Sequence, residues 1–149
     1  MRIGDISTRE VVQCARTATA LELAQLMRRS HVGDVVVVDQ PDGHKVPVGI
    51  VTDRDLAVEV VARERDPASV TAGDLMGAEL VTVGDQDDIY EAVELMRFKG
   101  VRRVPVVDEQ GGLAGIVTLD DLLNLIGGEL TLLGRVISRE RFQEEQSRR

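Results

Sequence analysis

The sequence predicts an α+β protein, sandwich-like, built from two β-α-β-β-α repeats packed sheet to sheet about a pseudo-twofold axis. Three observations support this prediction. When residues 4–39 are aligned with residues 73–108, thirteen of the 36 positions are identical. The octapeptide GIVTDRDL at 49–56 returns as GIVTLDDL at 115–122, with six identical positions. Each repeat mixes helical and strand-like patterns and is too short to bury its strands well alone, so the halves are expected to pack together.

The alignment also defines the domain organisation. We assign the first repeat to residues 1–68, the second to residues 69–127 and a C-terminal helical tail to residues 128–149. After Asp39 the offset between the repeats falls from 69 to 66 positions, because the first repeat has a loop that is three residues longer. The total of 149 residues is about the size of one ordinary domain, so we expect the two repeats to share one core.

Each repeat should begin with an extended stretch and an amphipathic helix. The extended stretches are 11–14 and 80–83, and the helices are 20–29 and 89–98. Apolar residues in the helices recur at spacings of three and four, which is the period of one helical face.

Two strands and a second helix should follow in each repeat. The first strands, 35–38 and 104–107, are nearly continuous apolar runs, which suits strands buried on both faces. After a glycine-containing turn, the second strands are 46–51 and 113–117, and a helix begins at the repeated threonine.

Composition excludes several classes of function. The net charge of -8 repels phosphate backbones, and aromatic residues make up only 2% of the chain, so binding to a nucleic-acid backbone is not expected. A single cysteine rules out a disulfide within the chain. We find neither a signal peptide nor an apolar run of membrane-spanning length, and we expect a cytoplasmic protein without a membrane partner.

The repeated octapeptide has two interpretations. In the structural one, Thr52 and Asp55 form a capping box at the start of a helix, and Thr118 and Asp121 form another. Each cap would stabilise its helix by about 1 kcal/mol. In the functional one, free amides at the helix start bind an anion such as phosphate, and the aspartate accepts hydrogen bonds from a sugar diol. Glycines at 49 and 115 would then let a ligand approach the backbone.

The two G-I-V-T-x-x-D-L motifs, each preceded by Val-Val-Asp and a turn, resemble a tandem pair of CBS domains, named after cystathionine β-synthase. The resemblance covers roughly residues 1–127. It implies a stand-alone regulatory module that binds AMP, ADP or ATP, with NAD and S-adenosylmethionine as alternatives, in clefts between the repeats. It implies no catalytic cofactor.

The resemblance also implies roles for particular residues. The motif aspartates would hold ribose hydroxyls, the threonines would lie near phosphate, and two isoleucines and two valines would frame the base. Including the charged residues beside each motif, the predicted ligand-binding residues are Val32, Ile50, Thr52, Arg54, Asp55, Val101, Arg103, Ile116, Thr118, Asp120 and Asp121.

The two clefts are not expected to be equal. The second repeat enters its first central strand with Arg102 and Arg103, where the first repeat has Gly33 and Asp34. An arginine suits phosphate geometry, whereas an aspartate repels phosphate. We therefore expect the Asp121 cleft to bind phosphorylated adenosine better, unless Arg54 supplies the charge in the other cleft.

Other reactive residues do not form a recognisable catalytic pattern. His31 and His44 lack partners at metal-ligand spacing, and Cys14 fits a core position better than a nucleophile. Acidic residues at 85, 87 and 88 favour the start of a helix, with a cation site as the alternative. We therefore expect a protein that is not an enzyme and holds no metal.

The tail suggests a partner. Its apolar residues recur at spacings of three and four, and this seam consists of Leu123, Ile126, Leu130, Leu133 and Ile137. Gly127 and Gly128 interrupt the seam, so either the helix breaks there or the glycines permit close helix contact. We expect a homodimer supported by this seam and an effector protein of unknown identity. The alternative is an interaction scaffold with no bound nucleotide.

Overall fold

The computed structural model describes residues 1–148 and contains the two predicted repeats. In the first repeat the elements are α1 (Ile3–Ile6), β1 (Gln13–Cys14), α2 (Ala20–Ser30), β2 (Asp34–Asp39), β3 (Val46–Thr52) and α3 (Asp53–Asp55), which continues as a π-helix over Leu56–Val61. In the second they are α4 (Ala72–Leu75), β4 (Val83–Gly84), α5 (Ile89–Lys99), β5 (Arg103–Val107), β6 (Leu113–Thr118) and α6 (Leu119–Ser147).

Each repeat forms one three-stranded mixed sheet. The strand orders are β1-β2-β3 and β4-β5-β6, with the first pair parallel and the second pair antiparallel in both sheets. The predicted fold class is therefore confirmed. The edge strands β1 and β4 are shorter than the extended stretches from which we predicted them, and the short helices α1 and α4 were not predicted at all.

The central strand of each sheet is buried on both faces, as its continuous apolar run predicted. In β2, Val35 and Val37 pack on one side with Leu23 and Met27 of α2. Val36 is also fully buried and, by strand alternation, points to the opposite face. These contacts fix the position of the loop that enters β2.

The helices α1 and α4 are exchanged between the repeats. Ile3 of α1 is fully buried in the core cluster of the second repeat, and Gly4 N donates to Asp85 O at 2.8 Å. Ala72 of α4 is fully buried in the core cluster of the first repeat, where its N–H donates to Ala18 O at 2.7 Å. The expectation of one shared core is therefore wrong in detail: each sheet has its own cluster, completed by the other repeat.

This exchange explains the two repeated glycines. A Cβ on Gly49 would lie 2.7 Å from Met76, in the segment that follows α4. A Cβ on Gly115 would lie 2.9 Å from the Ser7 hydroxyl and the Thr8 carbonyl, in the segment that follows α1. The glycines make room for the crossing chain, and not for a ligand as the functional interpretation of the octapeptide had it.

The last helix runs without a break from the repeated threonine to Ser147. Gly127 and Gly128 lie inside it, so the expected alternative of a broken helix is excluded. The predicted tail at 128–149 is therefore not a separate element: as far as Ser147, it continues the helix that begins within the second octapeptide. Within residues 1–148, no helix has both the length and the apolar character needed to cross a membrane.

The exchanged helix α1 yields a stability prediction. Ile3→Ala should lower the free energy of unfolding by about 3 kcal/mol, because it leaves a cavity in the core of the second repeat. Urea denaturation followed by circular dichroism measures this. Leu21→Ala, which truncates a side chain that is 43% exposed, is the matched control and should cost much less. Equal losses for the two variants would contradict the exchange.

Candidate functional site

Both octapeptides form complete capping boxes. Asp55 N donates to Thr52 Oγ1 at 3.2 Å, and Thr52 N donates to Asp55 Oδ2 at 2.8 Å. Asp121 and Thr118 repeat the pair at 3.2 and 2.9 Å. The structural interpretation of the motif is thus confirmed. Because the cap engages Oδ2 of each aspartate, Oδ1 is left to face another group.

The first-turn amides of α3 are already bonded within the protein. Asp53 N donates to Gly33 O at 2.9 Å, and Arg54 N donates to the Asp53 carboxylate at 2.8 Å. The amides of Thr52 and Asp55 belong to the capping box. The expected anion site made of free helix amides is therefore not present at α3, and positive charge must come from side chains.

A cavity of about 410 Å³ opens between the two repeats at this junction. It is lined by Ile50, Thr52, Asp53 and Arg54 on one side and by Gly100, Val101, Arg102 and Arg103 on the other. The cavity brings together five of the predicted ligand-binding residues from both repeats. It combines apolar surface, one hydroxyl, three guanidinium groups and the carboxylate of Asp53, so it offers a phosphorylated, partly apolar ligand both apolar contact and cationic partners.

A second cavity of about 230 Å³ lies next to the first. Its lining residues are Gly33, Asp34, Asp53, Arg102, Arg103, Thr118, Leu119 and Asp120. The arginine pair therefore borders both cavities. The guanidinium groups thus lie beside Thr118 on the Asp121 side, where we expected them, and they also face Ile50 and Thr52 of the first repeat.

Carboxylates already neutralise this arginine pair. Arg103 Nη1 lies 2.9 Å from Asp34 Oδ1, and the two side chains are 33% and 21% exposed. Arg102 Nη2 lies 3.6 Å from Asp120 Oδ1, and both of these side chains are well exposed. An anion that enters the larger cavity must compete with these aspartates, most of all with Asp34. Asp120 is thus placed as an arginine partner.

Strand β6, on the Asp121 side, is covered at Ile116 by the segment that follows α1, whereas the equivalent residue of β3 is open to the larger cavity. Thr8 N donates to Ile116 O, and Ile116 N donates to Thr8 O, both at 2.9 Å. The chain after α1 is therefore paired with β6 at Ile116, whereas the equivalent Ile50 lines the larger cavity. Val32, Asp55, Ile116 and Asp121 are half-buried beside the cavities but are not among the lining residues.

Three lining residues of the larger cavity are outside the predicted set: Arg102 was considered only together with Arg103, and sequence reasoning missed Gly100 and Asp53. Gly100 ends α5 in the left-handed conformation, with φ of 66°, and so turns the chain toward Val101. Asp53 follows the capping threonine, and its carboxylate accepts from the next amide. The glycine after an amphipathic helix was a readable signal for the first. Nothing in the sequence indicated the second.

The remaining candidate residues have structural roles. Asp87 accepts a hydrogen bond from Gly84 N at 2.7 Å, and Asp88 caps α5 by accepting from Tyr90 N at 3.0 Å. His31 is the left-handed residue that ends α2. Across residues 1–148, histidine, cysteine and acidic side chains form no group of three that could hold a metal ion.

Burial explains the chemistry expected of Cys14. The half-buried thiol packs against the core of the first repeat, and burial raises its pKa to about 11. Because the thiolate is the nucleophile, only about one molecule in a thousand is reactive at pH 8. This agrees with a core position.

The thiol pKa gives a prediction for reactivity. Labelling of Cys14 by a thiol reagent at pH 8 should be at least tenfold slower in the folded protein than in urea, and should accelerate as the pH rises toward 11. Stopped-flow absorbance with an aromatic disulfide measures both rates. Equal rates in the folded and unfolded chain at pH 8 would contradict the burial of the thiol.

Comparison with known proteins agrees with this architecture. In the Methanopyrus kandleri proteome, an uncharacterized protein is 40% identical over 144 residues, which are 96% of this chain and 70% of that protein. The CBS domain-containing protein YhcV of Bacillus subtilis is 36% identical over 120 residues, which are 80% of this chain and 81% of that protein.

A solved structure has the same fold. The CBS domain protein from Pyrobaculum aerophilum complexed with AMP superposes with a TM-score of 0.73 at 30% identity, over 82% of this chain and 90% of that chain. The family model described as "CBS domain" matches residues 3–62 and 72–128, most of both repeats. The chain therefore belongs to the CBS domain family, as a tandem pair with one CBS domain in each half.

Proposed function

We propose that the protein is a regulatory module, without catalytic activity, that binds a phosphorylated adenosine ligand in the cavity between the repeats. The observation that carries the proposal is the lining of the 410 Å³ cavity, where an apolar surface meets three guanidinium groups. The relative from Pyrobaculum aerophilum is described in complex with AMP, which supports this class of ligand. The description of the matching family model, "CBS domain", names no reaction.

The residues of the cavity divide into an apolar and a charged part. Ile50 and Val101 come from opposite repeats and suit the two faces of an adenine ring. The guanidinium groups of Arg54, Arg102 and Arg103 suit phosphate oxygens. Because the amides of α3 are occupied, phosphate binding depends on these side chains.

The ribose would contact the motif aspartate at the edge of the cavity. Asp55 is half-buried and uses only Oδ2 in its capping bond, so Oδ1 is available to accept from a ribose hydroxyl. Asp121 accepts the same capping bond. On its side, however, Thr8 pairs with Ile116, the counterpart of Ile50, so that strand residue is covered. We therefore assign the tighter site to the Asp55 side.

The alternative is an interaction scaffold with no ligand. It is favoured by the completeness of both capping boxes, since the repeated motif stabilises its helices whether or not a nucleotide binds. If a ligand binds, a second component must read the bound state of the module. We propose that this component is another protein, and that the exposed seam of α6 holds two copies of the chain together.

Calorimetric titration with AMP, ATP, NAD and S-adenosylmethionine tests the proposal. We expect binding by the wild type and at least a tenfold loss of affinity in Asp55→Asn, because a hydrogen bond to a charged group is lost. Asp121→Asn is the matched control and should bind nearly as well as the wild type. In both variants the asparagine oxygen can still accept the capping bond, so the fold is preserved.

The outcomes of this titration separate the functions. No heat with any of the four ligands, for folded protein freed of co-purified nucleotide, would favour the scaffold. A larger loss of affinity in Asp121→Asn than in Asp55→Asn would indicate that the ligand binds on the Asp121 side. Conversion of the nucleotide, followed by chromatography of the titrated sample, would show an enzyme.

The ion pair between Asp34 and Arg103 gives a further prediction. Asp34→Asn should tighten AMP binding about three- to tenfold, because the phosphate no longer displaces a carboxylate from Arg103. Binding of adenosine, which has no phosphate, should not change. The gain should shrink as salt concentration rises.

Asp120→Asn is the control for this variant. It removes the longer and more exposed partner of Arg102, so its effect on AMP should be smaller. An unchanged or weaker affinity for AMP in Asp34→Asn would contradict the competition. So would an equal gain for adenosine.

A further inference from the structure

A third cavity, of about 550 Å³, lies at the end of β2 that is remote from the arginine pair. Strand β2 begins at Asp34, beside Arg103, and ends at Asp39, which lines this cavity, so the two places are about 16 Å apart along the strand. Its walls are the residues that follow β1, the end of β2 and Lys45, and we call it the β1–β2 cavity. Because β1 and β2 are parallel, it lies outside the carboxyl ends of adjacent parallel strands, where open sheets commonly bind ligands.

The two repeats differ at this end of their sheets. In the second repeat, Asp108 Oδ1 accepts from Gln110 N at 2.9 Å and from Gly112 N at 2.8 Å, so the carboxylate closes its own turn. In the first repeat the loop is three residues longer, and the aligned Asp39 binds Arg16 instead. Nε and Nη2 of the guanidinium lie between 2.9 and 3.1 Å from the carboxylate oxygens. Because the second repeat folds without such a pair, the fold alone does not require it.

Contacts from the second repeat hold the two cations of the β1–β2 cavity. Gly73 N donates to Arg16 O at 2.9 Å, and Leu113 N donates to Lys45 O at 2.7 Å. The bond to Asp39 uses Nε and Nη2 of Arg16, so Nη1 can donate to a further acceptor. The lining residues carry two cations and one carboxylate. This excess of positive charge, in a chain of net charge -8, favours a small anion with a single negative charge.

A buried oxygen adds a second polar requirement. Oε1 of Gln13 is buried and has no hydrogen-bond partner within residues 1–148, while Nε2 of the same amide donates to Val11 O at 3.4 Å. A buried acceptor without a donor lowers stability. The terminal torsion of a glutamine side chain is broad, so a rotation can turn this oxygen toward the cavity that Gln13 lines. A ligand with an N–H or O–H group near its negative charge would satisfy it.

We propose that the β1–β2 cavity binds a small monocarboxylic acid with an amino or hydroxyl group on its α carbon and an apolar side chain. The carboxylate accepts from Arg16 and Lys45, and the amino or hydroxyl group donates to Oε1 of Gln13. The apolar side chain lies against Cys14 and Val38, which line the same cavity. This site is separate from the proposed nucleotide site, and it does not depend on a bound nucleotide.

Calorimetric titration with matched compounds tests the class of ligand. Leucine, leucic acid and isocaproic acid differ only in the group on the α carbon, and leucinamide lacks the carboxylate. We expect leucine or leucic acid to bind at least tenfold more tightly than isocaproic acid and leucinamide, and the tighter of the two identifies the donor. Equal affinity for isocaproic acid or leucinamide would overturn the proposal, and so would the absence of heat from all four compounds.

Substitution of a cation locates the site. Arg16→Gln should weaken binding of the tighter acid at least tenfold, because charge-assisted hydrogen bonds are lost. Arg63→Gln is the matched control: Arg63 also pairs with a carboxylate, that of Glu59 at 3.0 Å, but it does not line the cavity. Equal affinities of the two variants for the acid would contradict the site. AMP titrated into Arg16→Gln reports separately on the nucleotide site, so failures of the two proposals are distinguishable.

Gln13→Met separates a ligand contact from a structural role. Methionine has a similar length and no buried acceptor, so the temperature of thermal unfolding should not fall. The affinity for the tighter acid should nevertheless drop at least fivefold, toward that for isocaproic acid. Unchanged affinity in a folded Gln13→Met protein would overturn the contact with Oε1 and, with it, the choice of ligand.

Cys14 reports whether the cavity is occupied, because it is one of the lining residues. A saturating concentration of the tighter acid should slow the labelling of Cys14 by a thiol reagent at least threefold. AMP at saturation is the control, and it should leave the labelling rate unchanged. Binding of the acid in the calorimeter without protection of Cys14 would show that the acid binds elsewhere and overturn the proposal.

Discussion

The fold depends on the burial of one short helix from each repeat in the core of the other. Ile3 closes the core of the second repeat, and Ala72 closes that of the first. Since each is fully buried, neither repeat can cover its apolar surface alone, and the two behave as one cooperative unit. The crossing chain also determines which strand faces the larger cavity between the repeats: it pairs with Ile116 in one sheet, whereas Ile50 of the other sheet lines the cavity.

The two repeats share one backbone contact at the start of the second helix, but the charges around it differ. Asp53 N donates to Gly33 O, and in the equivalent place Leu119 N donates to Arg102 O, at nearly equal distances. Duplication therefore preserved the junction that positions both helix starts. The side chains diverged on this common frame, so that the start of β5 contributes Arg102 and Arg103 and the start of β2 contributes the carboxylate of Asp34. The result is a cavity between unequal halves, in which arginines from one repeat pair with carboxylates.

Local features were predictable from the sequence, and contacts between distant segments were not. The helices, the central strands and the capping boxes follow from periodicity and from residue types a few positions apart. The exchange of α1 and α4 joins segments that lie far apart in the chain, and no local pattern indicates it. The same limitation applies to Arg102 and Arg103, whose sequence neighbours do not show that they also line a cavity with Thr52 of the other repeat.

Helix α6 links the two surfaces that the structure singles out. Its first turn carries Asp120, which pairs with Arg102 at the cavity, and its exposed seam begins within a turn of that pair. A phosphate that draws Arg102 away from Asp120 would change the electrostatics at the start of the helix. Such a change can move a signal along the helix only if the ligand binds two arrangements of the pair with different affinity.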